Sequence, residues 1–250
     1  MDMINKITKS RGILKKYLDT EWDTDSMSNY SNEEIKKIYT SKKINTDISF
    51  GKASALNITL NHKTVKSHRL HVIYYNFPEL NASPLKINKT CGDKMLKLYV
   101  DGIINPEDSI ILIIADVISE NIEKTIEDVY KRGQEELLVE KLSDNIIEEN
   151  EKLNDSKLRN EHFRNIHIFN INAITFDPLK HVLVPKHECI RKESEIEAIL
   201  KITNTNRSQL PVILRKDPVA KLFRLAPGDI CKITRTSEKC GEYIYYRICE

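Results

Sequence analysis

Acidic residues close to lysines are the first pattern in this sequence that could do chemistry. An enzyme that cuts phosphodiesters with Mg²⁺ needs two or three acidic groups and a lysine that converge at the end of a strand. Asp116 ends an apolar run, as such an acid would, but the Glu34–Lys36 triplet has helical surroundings and Asp93 is followed directly by Lys94. Because no correctly spaced pair falls on a strand, the sequence argues against an active nuclease.

Histidines and cysteines form no pattern typical of a metal site or a nucleophile. His167, His181 and His187 share no spacing that suits one helix face or a tight loop, and the five cysteines include no CxxC pair. No Ser-His-Asp order stands out, and seven glycines leave little material for a nucleotide-binding loop. We therefore expect no metal, no cofactor, no small-molecule substrate and no catalysis, and reduced thiols in an intracellular protein.

The composition bounds the classes of partner. The chain has 250 residues, 40% of them hydrophobic and 30% charged, with a net charge of only +2. A free-standing DNA binder usually has a marked basic excess, so we expect any DNA contact to be local and to depend on a larger assembly. The longest apolar run, Ile110–Ala115, is too short to cross a bilayer, and the first residues lack a signal-peptide pattern. We expect no membrane partner.

Strands and helices alternate through the first part of the chain, residues 1–175. Ser31 and Glu34 form a capping box, which predicts a helix start. Other helical stripes occur at 4–18, 94–100 and 122–130. Apolar runs that predict strands occur at 58–60, 70–77, 109–115 and 166–171. This alternation favours an α/β sandwich with a mainly parallel sheet.

A charged segment at about 134–164 interrupts that alternation. Between Glu135 and Glu161 the sequence has nine acids against four bases. Leu138, Leu142 and Ile146 fit one helix. Because acidic side chains are repelled by phosphates, we expect a solvated, partly helical insertion that does not face DNA.

The last part of the chain, residues 176–250, predicts a separate small α+β domain of two layers. Its predicted strands are 182–184, 210–214, 230–235 and 243–249. Ile196, Ile199 and Leu200 recur at helical spacing after the first strand. Asp217 followed by Pro218 predicts the start of a second helix, since Asp caps free N–H groups and Pro at the first helical position loses no hydrogen bond. The predicted order is strand, helix, strand, helix, strand, strand.

This C-terminal stretch resembles a known family. The matching residues are Leu183 to His187, Gln209 to Pro211, Asp217 to Ala220, Gly228-Asp229, Lys232-Ile233, Arg235, Ser237-Glu238, Gly241, Tyr243 and Tyr246-Arg247. In this order they resemble the assembly domain that the fifth subunit of eukaryotic nuclear RNA polymerases shares with its archaeal counterpart. The sequence departs from the family at Arg224, where a glycine is usual, and at Cys240, where a small residue is usual; we expect both at surface turns.

The resemblance implies a non-catalytic subunit of a DNA-dependent RNA polymerase. It implies a C-terminal domain that docks on the largest subunit, among other polymerase subunits. It also implies an N-terminal domain of restriction-endonuclease-like fold that forms part of the jaw around downstream duplex DNA. The residues carried over to the polymerase interface are Pro185, His187, Pro211, Asp217, Pro218, Arg235, Tyr246 and Arg247. For each of them a purely structural role remains an alternative.

Contacts with DNA are expected in the N-terminal domain. The family approaches downstream DNA with a loop after a buried strand, and residues 118–121 stand at that place here. That loop has lost the family's proline and gained an acid, so we expect DNA contacts from Ser119, Lys124, Lys42 and Lys43. The alternative for the lysines is an ordinary solvated helix face.

Composition and divergence from the family indicate a source, and the source decides the location. The divergent N-terminal half, the charged insertion and an isoleucine-rich composition that suggests an AT-rich genome would suit a large DNA virus that encodes its own polymerase, with a divergent protist as the alternative. A viral subunit would work in cytoplasmic factories and virions, and a cellular one in the nucleus. The competing function is a stand-alone module that binds DNA or a transcription factor.

Overall fold

The computed structural model describes residues 2–41, 48–80, 82–237 and 241–250. These residues form two compact units. The N-terminal unit contains the described residues up to Glu149 together with Phe163–Phe176, and the C-terminal unit contains Asn150–His162 together with the described part of Asp177–Glu250. Within the described ranges, no helix is both long and apolar enough to span a bilayer.

The N-terminal unit is built on a four-stranded sheet of order β1-β2-β3-β4. Its strands are β1 (Ile58–Asn61), β2 (Arg69–Tyr75), β3 (Ser109–Ile114) and β4 (Ile166–Asn170). β1 pairs with β2 in antiparallel fashion, and β2, β3 and β4 are parallel. Every residue of β3 is buried, as expected of an interior strand that is covered on both faces. The predicted alternation and mainly parallel sheet are confirmed.

Two helices cover one face of this sheet. They are α3 (Thr90–Val100) and α4 (Glu120–Glu140). Met95 and Leu98 of α3 pack with Ile122 and Ile126 of α4 on alternate residues of the strands, in one apolar core. The helices approach closely at Gly92, where an added Cβ would overlap the γ-methyl of Thr125.

Two further helices, α1 (Met3–Leu18) and α2 (Asn32–Thr40), complete the N-terminal unit. The predicted capping box at the start of α2 is confirmed, because Glu34 N donates to Ser31 Oγ and Ser31 N donates to the Glu34 carboxylate. Tyr39 of α2 is buried, and its hydroxyl donates to the Pro78 carbonyl at 2.5 Å. The second sheet face is buried too, as at Tyr74.

The charged segment does not form the single helix that was predicted. α4 ends at Glu140, and α5 (Asp144–Glu151) begins after a break. Lys141 has φ +62°, a backbone conformation that ends an α-helix. Leu138 is largely exposed and Ile146 is fully buried, so the two predicted stripe positions lie in different surroundings.

The C-terminal unit has a four-stranded sheet of order β5-β7-β8-β6. Its elements are β5 (Lys186–Ile190), α6 (Glu193–Thr203), β6 (Val212–Ile213), α7 (Pro218–Leu222), β7 (Ile230–Ser237) and β8 (Gly241–Cys249). β7 pairs with β5 and β8 in antiparallel fashion, and β6 joins β8 in parallel. The predicted order of elements and the cap at Asp217, whose Oδ1 accepts from Val219 N at 2.8 Å, are confirmed.

Helices cover both faces of this sheet at one end, where two layers were predicted. Ile196 and Ile199 of α6 pack on Ile230 and Ile248. The opposite face packs against Ala220 of α7. The reason is that the strands are apolar on both sides here: the neighbouring residues Ile230 and Cys231 are both fully buried.

Two local predictions in the C-terminal unit are wrong. The strand predicted at 182–184 is a turn, in which His181 accepts hydrogen bonds from Leu183 N and Val184 N, and the strand begins after Pro185 instead. Arg224 does not lie at a surface turn, since only 4% of it is exposed. Its φ of +52° is in the left-handed region that glycine adopts without strain, which accounts for the glycine expected there.

Candidate functional site

One face of the C-terminal sheet brings together several of the residues that the resemblance singled out. His187 of β5 is in register with Ile233 of β7, which is in register with Tyr245 of β8. Side chains two residues apart on a strand share a face, so Arg235 and Arg247 lie on the same side of the sheet as Tyr245. Three strands thus position these side chains without a loop.

Two arginines flank one tyrosine on this face. The guanidinium carbon of Arg235 lies 4.7 Å from the centroid of the Tyr245 ring, and that of Arg247 lies 5.5 Å from it. Arg247 Nη1 also donates to the Val212 carbonyl oxygen of β6 at 3.1 Å. Stacking on an aromatic ring holds a guanidinium in place while leaving donors available. We call Arg235, Tyr243, Tyr245 and Arg247 the arginine–tyrosine row.

His187 lies beside this row, and a hydrogen bond to the backbone two residues earlier holds its ring. Its Nδ1 donates to the Pro185 carbonyl oxygen at 2.7 Å. Burial lowers the pKa of His187, and the positive charges of Arg235 and Arg247 act in the same direction, while the Pro185 hydrogen bond and Asp217 oppose the change. The neutral form of the imidazole is therefore favoured, so His187 does not add a third positive charge to a face that already has Arg235 and Arg247.

The remaining predicted interface residues lie in three places. Asp217 and Pro218 begin α7, with Pro218 exposed. Pro211 is exposed at the edge of the sheet, and its carbonyl oxygen accepts from Ile248 N at 2.9 Å. Tyr246 is on the opposite face, since it is in register with Lys232 and packs with the α6 core. The eight predicted residues therefore do not form one patch.

Exposed apolar side chains of the C-terminal unit were missed by the sequence reasoning. In the turn that replaces the predicted first strand, Val182 is 97% and Leu183 is 83% exposed. Large exposed apolar side chains on a small unit are typical of a surface that another protein covers. The signal was present in the apolar run 182–184, which we interpreted as a buried strand. Further exposed apolar side chains are Val212, Leu214, Tyr243 and Ile244.

A buried charge cluster centred on Asp229 was also missed. The Asp229 carboxylate is fully buried, and it accepts from Arg159 Nη2 at 2.7 Å and from Arg191 Nε at 3.0 Å. His162 Nε2 lies 2.8 Å from the same carboxylate, and Ala226 N donates to it at 2.9 Å. Burial alone would raise the pKa of Asp229, but His162, Arg191 and these hydrogen bonds hold it well below its usual value.

Of the four residues that are expected near DNA, the structure describes two, Ser119 and Lys124. Ser119 and Lys124 are exposed at the start of α4, directly after the loop that follows β3. Glu120 and Glu123 lie in the same first turn, so the local charge is mixed. Lys42 and Lys43 lie outside the described residues.

Two of the acids that were considered for a nuclease, Asp116 and Glu34, have structural partners. Asp116 Oδ2 accepts from Ile87 N at 3.1 Å and its Oδ1 from Val117 N at 2.8 Å. Hydrogen bonds from Ser31 lower the pKa of Glu34, the capping-box acid. Across the described ranges, no three His, Cys, Asp or Glu side chains are grouped so that they could hold a metal ion.

Comparison with known proteins shows which family the C-terminal residues match. Residues 176–249 match the family described as RNA polymerase Rpb5, C-terminal domain. DNA-directed RNA polymerase subunit Rpo5 of Archaeoglobus fulgidus is 52% identical over 68 residues, which are 27% of this chain and 88% of that relative. The chain belongs to the Rpb5/Rpo5 family of RNA polymerase subunits.

Other Rpb5/Rpo5 relatives show how the match divides between long and short chains. Subunit Rpo5 of Sulfurisphaera tokodaii is 50% identical over 76 residues, 30% of this chain and 89% of that relative. Subunit rpabc1 of the Dictyostelium discoideum RNA polymerases I, II and III is 45% identical over 69 residues, 28% of this chain but only 34% of that relative. The relatives from Archaeoglobus fulgidus and Sulfurisphaera tokodaii are thus little longer than the matched region, which leaves them no room for a counterpart of the N-terminal unit.

Proposed function

We propose that this Rpb5/Rpo5-family chain is a non-catalytic subunit that docks on the largest subunit of its RNA polymerase through the C-terminal unit. The observation that carries the proposal is the match of residues 176–249, which covers the C-terminal unit except for Asn150–His162 and the last residue. Archaeal relatives named as polymerase subunits consist of little more than this region. The absence of catalysis is supported by the carboxylates of Glu34 and Asp116, which accept hydrogen bonds from the backbone N–H groups of Ser31 and Ile87.

We propose the arginine–tyrosine row as the centre of the docking surface, together with the exposed apolar residues Val182 and Leu183. Tyrosine and arginine are enriched at the centres of protein interfaces. Two guanidinium groups already ordered on Tyr245 lose little side-chain entropy on binding. His187, Asp217, Pro218 and the Pro211 edge border this surface in the proposal, while Tyr246 acts through the core.

We propose for the N-terminal unit the role of a jaw beside downstream duplex DNA, on a restriction-endonuclease-like fold. The mixed sheet with helices packed on it supports the fold. Ser119 and Lys124 are the described residues that we assign to DNA, with Lys42 and Lys43 as further contacts. Since Glu120 and Glu123 lie beside them, the contact requires that the assembled polymerase holds the duplex in place.

The proposal also assigns a location inside the cell. A subunit of a cellular polymerase works in the nucleus, and a subunit of a viral polymerase works in cytoplasmic factories and is packaged in the virion. Imaging of a tagged chain distinguishes the two.

Affinity purification of the tagged full chain from its own host cells tests the proposed function. The largest polymerase subunit should be recovered with it at gentle salt. Recovery of the chain without any large polymerase subunit would contradict docking. Mg²⁺-dependent cutting of DNA by the purified chain would instead contradict the absence of catalysis.

A further inference from the structure

A cavity of about 230 Å³ lies in the N-terminal unit between α1, the loop before α2 and α2 itself. Its lining residues are Thr8, Arg11, Gly12, Lys15, Met27, Ser28, Asn29, Tyr30 and Ile35. The four from α1 follow the spacing i, i+3, i+4 and i+7, so they lie on one face of the helix. We call this cavity the Arg11 pocket.

Arg11 is a buried cation without an acidic partner among the described residues. Only 6% of it is exposed. Its Nη1 donates to the Leu56 carbonyl oxygen at 3.1 Å, its guanidinium lies 5.2 Å from the Tyr30 ring centroid, and its buried Nε has no hydrogen-bond partner in the described structure. A charge that is removed from water without a counter-ion is costly, so an anion in the pocket would stabilise this arrangement.

Tyr74 does not supply the missing negative charge. It is completely buried beside Arg11, and burial raises the pKa of its hydroxyl, with the charge of Arg11 opposing the change only in part. The phenol therefore stays neutral at physiological pH. Carbonyl and ring contacts therefore surround the charge of Arg11, but none of its described contacts is with a negatively charged group.

A second cation and several neutral donors complete the lining. Lys15 is half-buried, and its Nζ donates to the Met27 carbonyl oxygen at 3.0 Å, which holds the ammonium at the pocket. Ser28, Asn29 and Tyr30 add hydroxyl and amide groups, and the described lining contains no Asp or Glu. Two cations with neutral donors and no acid are the groups that bind oxyanions.

We propose that the Arg11 pocket binds a phosphoryl group, either as inorganic phosphate or as a phosphate monoester on a small side chain. The volume of the cavity suits such a group. One water molecule takes about 30 Å³, so a cavity of about 230 Å³ has room for a group several times larger than a water molecule. Gly12 leaves one side open, because an added Cβ there would meet no atom within 4 Å. A concave pocket of this size does not admit the backbone of a DNA duplex. The inference is independent of the docking role, which we assign to the other unit.

Calorimetric titration of the full chain with inorganic phosphate and with O-phosphoserine, against sodium chloride at equal ionic strength, tests the proposal. Arg11 variants risk misfolding, so Lys15→Gln carries the test, with the exposed Lys9→Gln on the same helix as its control. We expect Lys15→Gln to weaken phosphate binding about tenfold and Lys9→Gln to leave it unchanged. Gly12→Asp, which adds a carboxylate at the open side, should abolish binding.

Each outcome bears on the proposal. Binding of inorganic phosphate alone supports a site for the free ion, and equal or tighter binding of O-phosphoserine supports a phosphorylated partner protein. The proposal is overturned if neither ligand binds up to about 10 mM, or if the two lysine variants bind alike. It is also overturned if duplex DNA displaces phosphate from the pocket, because the lysine would then belong to a DNA contact.

Discussion

Arg159 and the buried Asp229 form an ion pair in the C-terminal unit, although they are far apart in the sequence. Arg159 Nη2 donates to Asp229 Oδ1 at 2.7 Å, and the same nitrogen donates to the Pro227 carbonyl oxygen at 3.0 Å. Part of the charged segment that we predicted to be a solvated insertion is therefore attached to the domain that matches the Rpb5/Rpo5 family. The short archaeal relatives lack room for such a segment, so the attachment is additional to the region that they share with this chain.

Replacing Arg159 should loosen the C-terminal unit without unfolding it. Arg159→Ala removes a charge-assisted hydrogen bond to a buried carboxylate, which costs about 1.5–3 kcal/mol, while Arg191 and His162 still contact Asp229. Amide hydrogen exchange of β7 and β8 in the full chain should accelerate accordingly.

The exposed ion pair of Lys192 with Glu195 provides the control for Arg159. Lys192→Ala should change the free energy of unfolding by less than about 1 kcal/mol, because solvent screens the pair. Equal exchange rates of β7 and β8 in the two variants would show that Arg159 contributes no more than a surface pair.

Stability of the C-terminal unit should depend on the charge of Asp229. The folded-state pKa of Asp229 is lowered, so its contribution is fully present above the unfolded-state pKa of about 3.9 and is lost as the pH falls through the folded-state pKa. Asp229→Asn should be less stable than the parent at neutral pH, and the difference should shrink as the pH falls below about 4. Urea unfolding followed by circular dichroism at stepped pH measures it; a difference that stays constant from neutral pH to about pH 3 contradicts the assignment.

Two glycines of the N-terminal unit should respond to the same substitution in opposite directions. Gly92→Ala forces α3 away from Thr125 and should cost about 1–3 kcal/mol. Gly12→Ala has open space and a helical position, so it should gain about 0.5–1 kcal/mol. Fluorescence of Trp22, the single tryptophan, reports unfolding of this unit. An unchanged stability of Gly92→Ala would show that the close approach of α3 and α4 does not govern Gly92, and a loss of stability in Gly12→Ala would contradict the open space at that position.

The order of elements in both units could be predicted because local signals decide it. The apolar run of β3, the capping box at Ser31 and the Asp217-Pro218 start of α7 each depend on neighbouring residues only. The turn at 182–184 could not be predicted this way, because an apolar run does not reveal whether anything in the same chain covers it.

The arginine–tyrosine row and the Asp229 cluster depend on contacts between distant segments, which no local sequence pattern shows. The sequence places Arg235 and Arg247 on two strands, but only the register of β7 and β8 puts them on one face and Tyr246 on the other. A register shift of one residue would move each side chain of a strand to the opposite face. The Arg159–Asp229 pair joins segments that only the fold brings together.

The isolated chain should bind duplex DNA weakly. A net charge of +2 leaves little counterion release, which supplies most non-specific affinity, so we expect a dissociation constant above about 1 µM at physiological salt. Titration of a fluorescent duplex with the purified chain measures it. Affinity well below that value would favour the competing function, a stand-alone DNA-binding module.

Recovery of the largest polymerase subunit by matched variants tests the docking claim most directly. Arg235→Glu combined with Tyr243→Ala changes the arginine–tyrosine row at two exposed positions. Lys201→Glu combined with Ile202→Ala makes the same kinds of change at exposed positions of α6. With equal amounts of tagged chain, the row variant should recover at least about tenfold less of the largest subunit than the parent, as expected for loss of interface anchors, and the α6 variant should match the parent. Equal recovery by all three chains would contradict docking through this face.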